Sequence, residues 1–299
     1  MEAKVFFQCE DQIGEGILWL DAQDKLLWLD IDRCILHVYD FQNGAVTEHY
    51  FPDKITTIIP LEKNKEEVII ALKDRIIYYH LQNKISRKLM DMPFVPNGFR
   101  TNDGKASPEG RLWIDIMHMD THHGNGSLYC IDHDLSSREV LSGQSIPNGI
   151  VWNREGDRMY YADSGKGCIY GFTYDRQSGN ILSKDVAVQV PSGYGIPDGM
   201  AIDENDHLWV AHWGGFGVYV WNPVSGLLID KVEVPVPNVA SCTFGKDNQL
   251  FITTARSGLS DEELKRYPLS GSVFVAETPV RSGTNHYPFK LMVNDKLSS

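Results

Sequence analysis

The sequence contains no run that approaches the ~20 consecutive apolar residues of a membrane-spanning helix. Its first residues, MEAKVFFQCEDQIGEG, carry a short apolar patch without a basic leader, which is unlike a secretory signal peptide. The five cysteines are odd in number, widely spaced and free of any Cys-x-x-Cys pair, which excludes a disulfide framework and a zinc knuckle. These absences predict a cytoplasmic protein that does not associate with membranes.

Positive charge is also scarce. The chain has 28 Lys and Arg against 40 Asp and Glu, a net charge of −12, and no basic stripe, so nucleic acid is excluded as a partner. No Gly-x-Ser-x-Gly motif is present, which excludes the serine-esterase elbow, and SGKG at 164–167 lacks the spacing of a phosphate-binding loop. We expect a small-molecule ligand, and nothing in the sequence implies an obligatory protein partner.

Short aromatic and β-branched segments dominate what is present. They are bounded by Gly, Asp or Asn and include KLLWLDI, EVIIALK, RLWIDIM, RMYYADS, HLWVAHW and QLFITTA. Helical character is confined to 260–266, SDEELKR, where Ser260 and Glu263 have the spacing of a capping box. The chain is therefore predicted to be all-β.

Several segments repeat one phrase: an Asx-Gly or Glu-Gly pair, a short strand, a polar turn and an aromatic strand. Clear copies start at Gly14, Thr101, Pro147 and Pro197, and weaker copies start near Thr57 and Val239. A repeat of about 50 residues with several strands is typical of a β-propeller. We predict a single six-bladed propeller domain over residues 1–299, closed by a strand from residues 3–8 or 288–293.

Four oxygen-bearing side chains stand at the same point of four different repeats: Glu15, Asn102, Asn148 and Asp198. A single Asn-Gly or Asp-Gly pair usually marks a turn. The shared position instead indicates that these side chains surround one end of the propeller channel. Carboxylate and amide oxygens are the ligands of a hard divalent cation, so a central metal site is predicted.

The segments GEGILW, RTNDGKASPEGRLW, IPNGIVW, MYYADS and PDGMAIDENDHLWVA resemble the gluconolactonase/regucalcin (senescence marker protein)/luciferin-regenerating-enzyme family from about residue 10 to about 280. The resemblance implies a six-bladed propeller with one divalent ion and, most commonly, hydrolysis of a sugar lactone. Calcium or zinc is expected, with manganese or magnesium as alternatives.

Carried over residue by residue, the resemblance implies three metal ligands: Glu15, Asn148 and Asp198. Asp198 would also be the general base. Arg100 and Asn102 would hold the substrate hydroxyls and carbonyl, and Asp120 would be a further substrate contact. A metal with open positions can act as a Lewis acid on the lactone carbonyl, and a guanidinium can stabilise the resulting oxyanion.

The chain departs from the family at IDIMHMD, where many members have a small Gly-Thr-Met run, so a bulkier pocket wall is expected. The following loop holds His118, His122 and His123, either a second metal site or solvated histidines. Two other functions stay open. One is phosphotriester or fluorophosphate hydrolysis at the same metal, and the other is a non-catalytic calcium-binding or interaction propeller.

Three smaller expectations concern single residues. Trp209 is expected to pack between blades, and Trp213, before Gly214-Gly215, is a candidate for the channel mouth. Asp163 repeats Asp30 of the first blade, and both are interpreted as turn-anchoring residues rather than ligands.

Overall fold

The structure, a computed structural model, describes residues 1–62, 66–92, 94–121, 124–283 and 286–292. These residues form 24 strands in six four-stranded antiparallel sheets. The arrangement confirms the predicted all-β six-bladed propeller, with each sheet forming one blade.

The blades follow one another along the chain after a first short strand, β1 (Lys4–Phe7). Blade 1 consists of β2 (Gly14–Leu20), β3 (Lys25–Asp30), β4 (Ile35–Asp40) and β5 (Ala45–Tyr50). Blade 2 consists of β6 (Ile55–Pro60), β7 (Glu67–Leu72), β8 (Arg75–His80) and β9 (Ile85–Asp91). Blade 3 consists of β10 (Phe99–Ala106), β11 (Leu112–His118), β12 (Gly126–Ile131) and β13 (Ser137–Gln144).

The second half of the chain repeats this plan. Blade 4 consists of β14 (Pro147–Trp152), β15 (Arg158–Asp163), β16 (Cys168–Asp175) and β17 (Asn180–Gln189). Blade 5 consists of β18 (Ile196–Ile202), β19 (Leu208–Trp213), β20 (Gly217–Asn222) and β21 (Leu227–Glu233). Blade 6 contains β22 (Val239–Phe244), β23 (Gln249–Thr254) and β24 (Val273–Glu277).

The N-terminal strand closes the ring. β1 pairs antiparallel with β24 and becomes the fourth strand of blade 6, so of the two predicted closing segments the N-terminal one supplies the strand. The described residues near the C-terminus instead run past the opposite end of the channel. There Leu61 forms a bridge with the buried Phe289, and Thr243 Oγ1 lies 2.6 Å from His286 Nε2.

Apolar side chains fill the space between adjacent blades. Trp209 of blade 5 packs edge-on against Phe244 of blade 6, with ring centroids 5.3 Å apart, which confirms its predicted packing role. Trp113 and Trp152 make the same kind of contact between blades 3 and 4 at 6.0 Å. Burial of such aromatic pairs contributes both apolar area and a favourable ring geometry.

Regular helix within the described residues is limited to α1 (Asp261–Arg266) and three 3-10 turns at Asp21–Gln23, Ser164–Lys166 and Lys246–Asn248. The predicted capping box of α1 is present, because Ser260 Oγ accepts from Glu263 N and Glu263 Oε2 accepts from Ser260 N. None of the described helices is long and apolar enough to cross a membrane. All five cysteines are free, as expected.

Candidate active site

A β-bulge places each predicted channel residue. The innermost strands of blades 1, 3, 4 and 5 each shift their pairing register near the channel. The shifts lie between Glu15 and Leu18, Thr101 and Gly104, Pro147 and Ile150, and Pro197 and Met200, respectively. A bulge inserts an extra residue and re-aims the side chain beside it. Glu15, Asn102, Asn148 and Asp198 all lie at or within these bulges, which turn them towards the axis.

The glycine that directly follows Asn148 and the one that directly follows Asp198 are explained by a close approach between strands. A Cβ on Gly149 would lie 2.4 Å from the carbonyl oxygen of Asp198, and one on Gly199 would lie 2.4 Å from Ser241 Oγ. Neither glycine has a positive φ. The Asx-Gly pair is therefore required by the crowding of inner strands around the channel, and not by a turn.

One cavity of about 520 Å³ opens at this end of the channel. Its lining includes five of the six predicted site residues, namely Glu15, Arg100, Asn102, Asn148 and Asp198. Three of these side chains, Asn102, Asn148 and Asp198, are buried, with no more than 8% of their surface exposed. The structure thus brings residues from four blades to the floor of a single cavity.

The ionised forms of the two carboxylates on this floor, Glu15 and Asp198, are unfavourable when no positive charge compensates them. Burial raises the pKa of Glu15 to about 8, and the charge of Asp103 contributes to the shift. Burial raises the pKa of Asp198 well above its ordinary value, and Glu15 is the largest charge that adds to the effect. The site therefore concentrates negative charge at a point where water cannot screen it well.

Arg100 and Asn102 form one unit. The Arg100 guanidinium donates through Nη1 to Asn102 Oδ1 at 2.6 Å and to the carbonyl oxygen of Thr101 at 2.9 Å. Asn102 Nδ2 in turn donates to the carbonyl oxygen of Pro147 in the next blade, at 2.9 Å. The amide thus has its oxygen fixed towards Arg100 and holds the guanidinium over the cavity.

Asn148 is oriented by a second unit that the sequence reasoning missed. Its Nδ2 lies 3.4 Å from Ser164 Oγ, and Ser164 Oγ donates to the carbonyl oxygen of Pro197 at 2.5 Å. Ser164 is buried and lines the cavity. Its signal was its place directly after the aromatic strand that ends in Asp163, at the channel end of blade 4.

Asp163 and Asp30 anchor the strand starts, as predicted. Asp163 accepts from the backbone N–H groups of Ser145 and Ile146, and Asp30 accepts from those of Gln12 and Ile13. Each carboxylate satisfies the backbone just before a channel residue. Their role is structural, because they fix the starts of the strands that carry Glu15 and Asn148.

A layer of buried charges lies beneath the floor and was also missed. Asp103 N donates to Asp115 Oδ1 at 2.9 Å, and Lys105 Nζ donates across the channel to the carbonyl oxygen of Met200 at 2.6 Å. Burial raises the pKa of both Asp103 and Asp115. The run NDGK could have indicated this layer, because it contains both Asp103 and Lys105, but only its asparagine was assigned a role from the sequence.

Asp120 does not join the other predicted residues. Its side chain is exposed, it is not among the described residues that line the cavity, and its backbone N–H donates to His118 Nδ1 at 3.1 Å. The adjacent Met119 and Thr121 do line the cavity. His118 packs edge-on against Phe99, while His122 and His123 lie outside the described residues.

The donor set of the floor fits an oxygen-ligated cation. Two carboxylates and the amide of Asn148 converge, and Asp198 Oδ1 is buried without a hydrogen-bond partner. Among the residues that the structure describes, no cluster of three or more His, Cys, Asp or Glu side chains has metal-binding geometry. A cation at this floor would therefore need the amide oxygen of Asn148 as a third ligand, a donor set that suits a hard cation such as Ca²⁺.

Comparison with known families gives a match over residues 13–256 to the SMP-30/gluconolactonase/LRE-like region. The chain belongs to this family. It is 33% identical over 267 residues to a Bacillus subtilis (strain 168) protein named as a candidate sugar lactone lactonase, YvrE, covering 89% of this chain and 91% of that one. It is 30% identical over 249 residues to pentonolactonase XacC of Haloferax volcanii, covering 82% of each chain.

A solved structure of luciferin-regenerating enzyme has the same fold. Its TM-score with this family member is 0.88 at 26% sequence identity, covering 97% of this chain and 100% of that one. The likeness therefore extends over the whole propeller.

Proposed function

We propose that this family member hydrolyses a lactone at a divalent metal ion held by Glu15, Asn148 and Asp198. The observation that carries the proposal is the convergence of two high-pKa carboxylates and an amide beneath a fixed guanidinium, in one cavity of about 520 Å³. An interaction propeller has no need of buried carboxylates that repel each other. A reaction that is promoted by a bound cation needs them as ligands of that cation.

A bound ion would supply Lewis-acid polarisation of the ester carbonyl. Oxygen ligation favours calcium, and zinc, manganese and magnesium are the alternatives to be compared. Among the proposed ligands, Asp198 has a carboxylate oxygen, Oδ1, that is without a hydrogen-bond partner in the protein. Its carboxylate is therefore the group best placed both to bind the cation and to accept a proton from water. Ligation lowers the basicity of that carboxylate, while burial raises it.

The remaining roles belong to the chain's own polar groups. The Arg100 guanidinium offers fixed positive charge to the carbonyl oxygen as it becomes an oxyanion, because Asn102 and the Thr101 carbonyl already hold it in place. Asp198 accepts the proton of the attacking water. Asn102 keeps its orientation through Pro147, which leaves it beside the substrate rather than on the ion.

The names of the relatives indicate the substrates to test first. YvrE is named for sugar lactones and XacC for pentonolactones, and we extend lactones as a class to this chain. Asp120 is outside the cavity, so its proposed substrate contact requires a substrate that reaches beyond the rim.

Replacement of Asp198 tests the proposal. Asp198→Asn should lower the turnover number more than tenfold, because the amide cannot accept the water proton. A pH-indicator assay over a panel of aldonolactones, with Ca²⁺, with Zn²⁺ and with chelator, measures the effect. Asp230→Asn, an exposed change in the outer strand of the same blade, is the matched control and should leave turnover unchanged.

Two outcomes would contradict the proposal. Loss of turnover with chelator is expected, so turnover that persists after metal removal would exclude the metal. A wild-type protein that binds the ion but hydrolyses only a phosphotriester in the same assay would shift the function to phosphotriester hydrolysis.

A further inference from the structure

The inner strands that deliver the floor residues also build a second level of the cavity. Side chains two positions apart on a strand point to the same side, about 6.6 Å apart. The residue two positions before Glu15, Asn148 and Asp198 is an isoleucine each time, namely Ile13, Ile146 and Ile196, and all three line the cavity. Only before Asn102 is the equivalent residue polar, and it is Arg100.

The second strands of the blades extend this apolar level. Met117 is paired directly with Arg100, and Trp213 is paired directly with Ile196. Ile31 lies beside Ile13, because its backbone N–H donates to the Ile13 carbonyl at 3.0 Å. We call the six apolar residues that line this level the apolar collar: Ile13, Ile31, Met117, Ile146, Ile196 and Trp213.

Charged groups near the collar are already engaged. Lys54 and Asp32, which also line the cavity, form an ion pair with each other. The Arg100 guanidinium is bonded to Asn102 and to the Thr101 carbonyl on the floor side. The cavity therefore has a polar floor and, about 6.6 Å above it, a wall formed mainly by the apolar collar. Polar groups on the cavity lining outside the collar are Thr121, Ser257 and the Asp32–Lys54 pair.

We propose that the substrate is a lactone whose ring meets the polar floor and whose exocyclic substituent ends in an apolar group, as in a deoxy-sugar lactone or an alkyl-substituted lactone. This rests on the lactone hydrolysis proposed above and narrows its substrate class. A terminal hydroxyl placed against the collar loses its water without gaining a partner, whereas a methyl or alkyl group gains apolar contact there.

Two pairs of lactones test the proposal, because the members of each pair differ by one oxygen. They are L-rhamnono-1,4-lactone against L-mannono-1,4-lactone, and L-fucono-1,4-lactone against L-galactono-1,4-lactone. We expect kcat/KM to be roughly 10- to 100-fold higher for the deoxy member, the range over which an apolar pocket discriminates against an added hydroxyl. The difference should lie mainly in KM. Where a lactone is not turned over, its inhibition constant against a hydrolysed lactone replaces KM.

Substitution of the collar provides the second arm. Ile146→Thr combined with Ile196→Thr replaces two ethyl groups by hydroxyls. The double variant should reduce the ratio of kcat/KM between the deoxy lactone and its hydroxylated partner at least threefold, which is on the order of the contribution of one hydrogen bond. Ile229→Thr, at a half-exposed position on the outer strand β21, is the matched control and should leave the ratio unchanged.

The outcomes separate the two proposals. Turnover of both members of each pair at a ratio of one or less, or a ratio insensitive to the collar variant, overturns the substrate inference and leaves lactone hydrolysis standing. No turnover of any lactone with metal bound overturns the proposed function, and the substrate inference with it.

Discussion

At the scale of single residues, the floor of the cavity divides into two sets of oxygens. Glu15 Oε2 accepts from the neighbouring Gly16 N–H at 2.9 Å, and Asp198 Oδ1 has no hydrogen-bond partner. Asn102, in contrast, uses both ends of its amide within the protein. A cation can therefore be held by the first set, while Asn102 keeps the Arg100 guanidinium in place over the cavity.

This division predicts that substrate recognition can be separated from metal binding. Arg100→Ala should lower kcat/KM for the substrate lactone about 10- to 150-fold, from the ~1.5–3 kcal/mol of a charge-assisted contact. Metal affinity should stay constant or rise slightly, since the positive charge near Glu15 and Asp198 is removed. Kinetics and a calorimetric metal titration on the same variant measure both effects.

Arg100→Lys refines this comparison, because it keeps the charge but loses the planar fork that bonds Asn102 and Thr101 together. We expect an intermediate kcat/KM. An alanine variant with unchanged efficiency would make Arg100 a structural residue, and loss of metal binding would move it to the metal's own surroundings.

At the scale of elements, the inner strand is the functional unit. In blades 1, 4 and 5 the sequence runs isoleucine, spacer, floor residue and glycine, and in blade 3 it runs Arg100, spacer, Asn102, Asp103 and then Gly104. The bulge turns the floor residue inwards, and an anchoring aspartate such as Asp30 or Asp163 fixes the strand start. One short stretch of sequence therefore sets both levels of the cavity.

Close packing of the inner strands predicts a specific cost for Gly149→Ala. The new Cβ would lie 2.4 Å from the Asp198 carbonyl oxygen, which is backbone and cannot rotate away. We expect a loss of roughly 1–3 kcal/mol in unfolding free energy, as for overpacked cores, together with weaker metal binding. Thermal melts and metal titration check the two effects.

Gly171→Ala is the matched control, because Gly171 is also in a strand and has no positive φ. Its Cβ would meet the Arg158 guanidinium at 2.6 Å, the far end of a flexible side chain that can move. A Gly149→Ala protein as stable as Gly171→Ala would show that blades 4 and 5 have room to separate.

At the scale of the whole molecule, the propeller converts a repeat in sequence into a ring in space. The repeat starts near Gly14, Thr57, Thr101, Pro147, Pro197 and Val239 could be read directly and lie within or close to the six inner strands. Because the blades are equivalent, equal positions in the repeat had to meet at one axis. Four of the residues that line the cavity, Glu15, Asn102, Asn148 and Asp198, followed from that alone, whereas Arg100 was expected from the family resemblance.

Features that depend on contacts between blades could not be predicted in the same way. The link from Lys105 to Met200 joins residues far apart in sequence, and Asp115 acquires its environment from a bulge in the neighbouring strand. The substrate role of Asp120 was expected from the family resemblance alone. Asp120 lies in a loop, and loops do not share the period of the repeat. The segment 288–293 was one of the two expected closing strands, but the described C-terminal residues near Phe289 run past the far end of the channel instead.

The convergence of carboxylates on one axis predicts how the stability of the metal-free protein depends on pH. Burial raises the pKa of Glu15 to about 8, and the pKa of Asp198 is also raised, so the fold keeps protons that the unfolded chain releases near pH 4.5. Their contribution is complete below about pH 4.5 and is lost as pH rises towards 8, by up to ~1.4 kcal/mol per pH unit per group. Three histidines have the opposite effect: desolvation lowers the pKa of His49 and His212 to about 4 and of His286 to about 3.

The histidine effect ends near pH 6.5, where the unfolded histidines have lost their protons, so between pH 6.5 and 8 the buried carboxylates act without opposition from histidine. In chelator, the melting temperature of the wild type should fall across this window, and in Glu15→Gln the fall should be smaller. Glu155→Gln, an exposed change, should keep the wild-type slope. Added Ca²⁺ should reverse the trend, because metal binding requires ionised ligands and strengthens as pH rises. Equal slopes in wild type and Glu15→Gln would mean that Glu15 is ionised in the metal-free fold, and that the channel tolerates its charge without a cation.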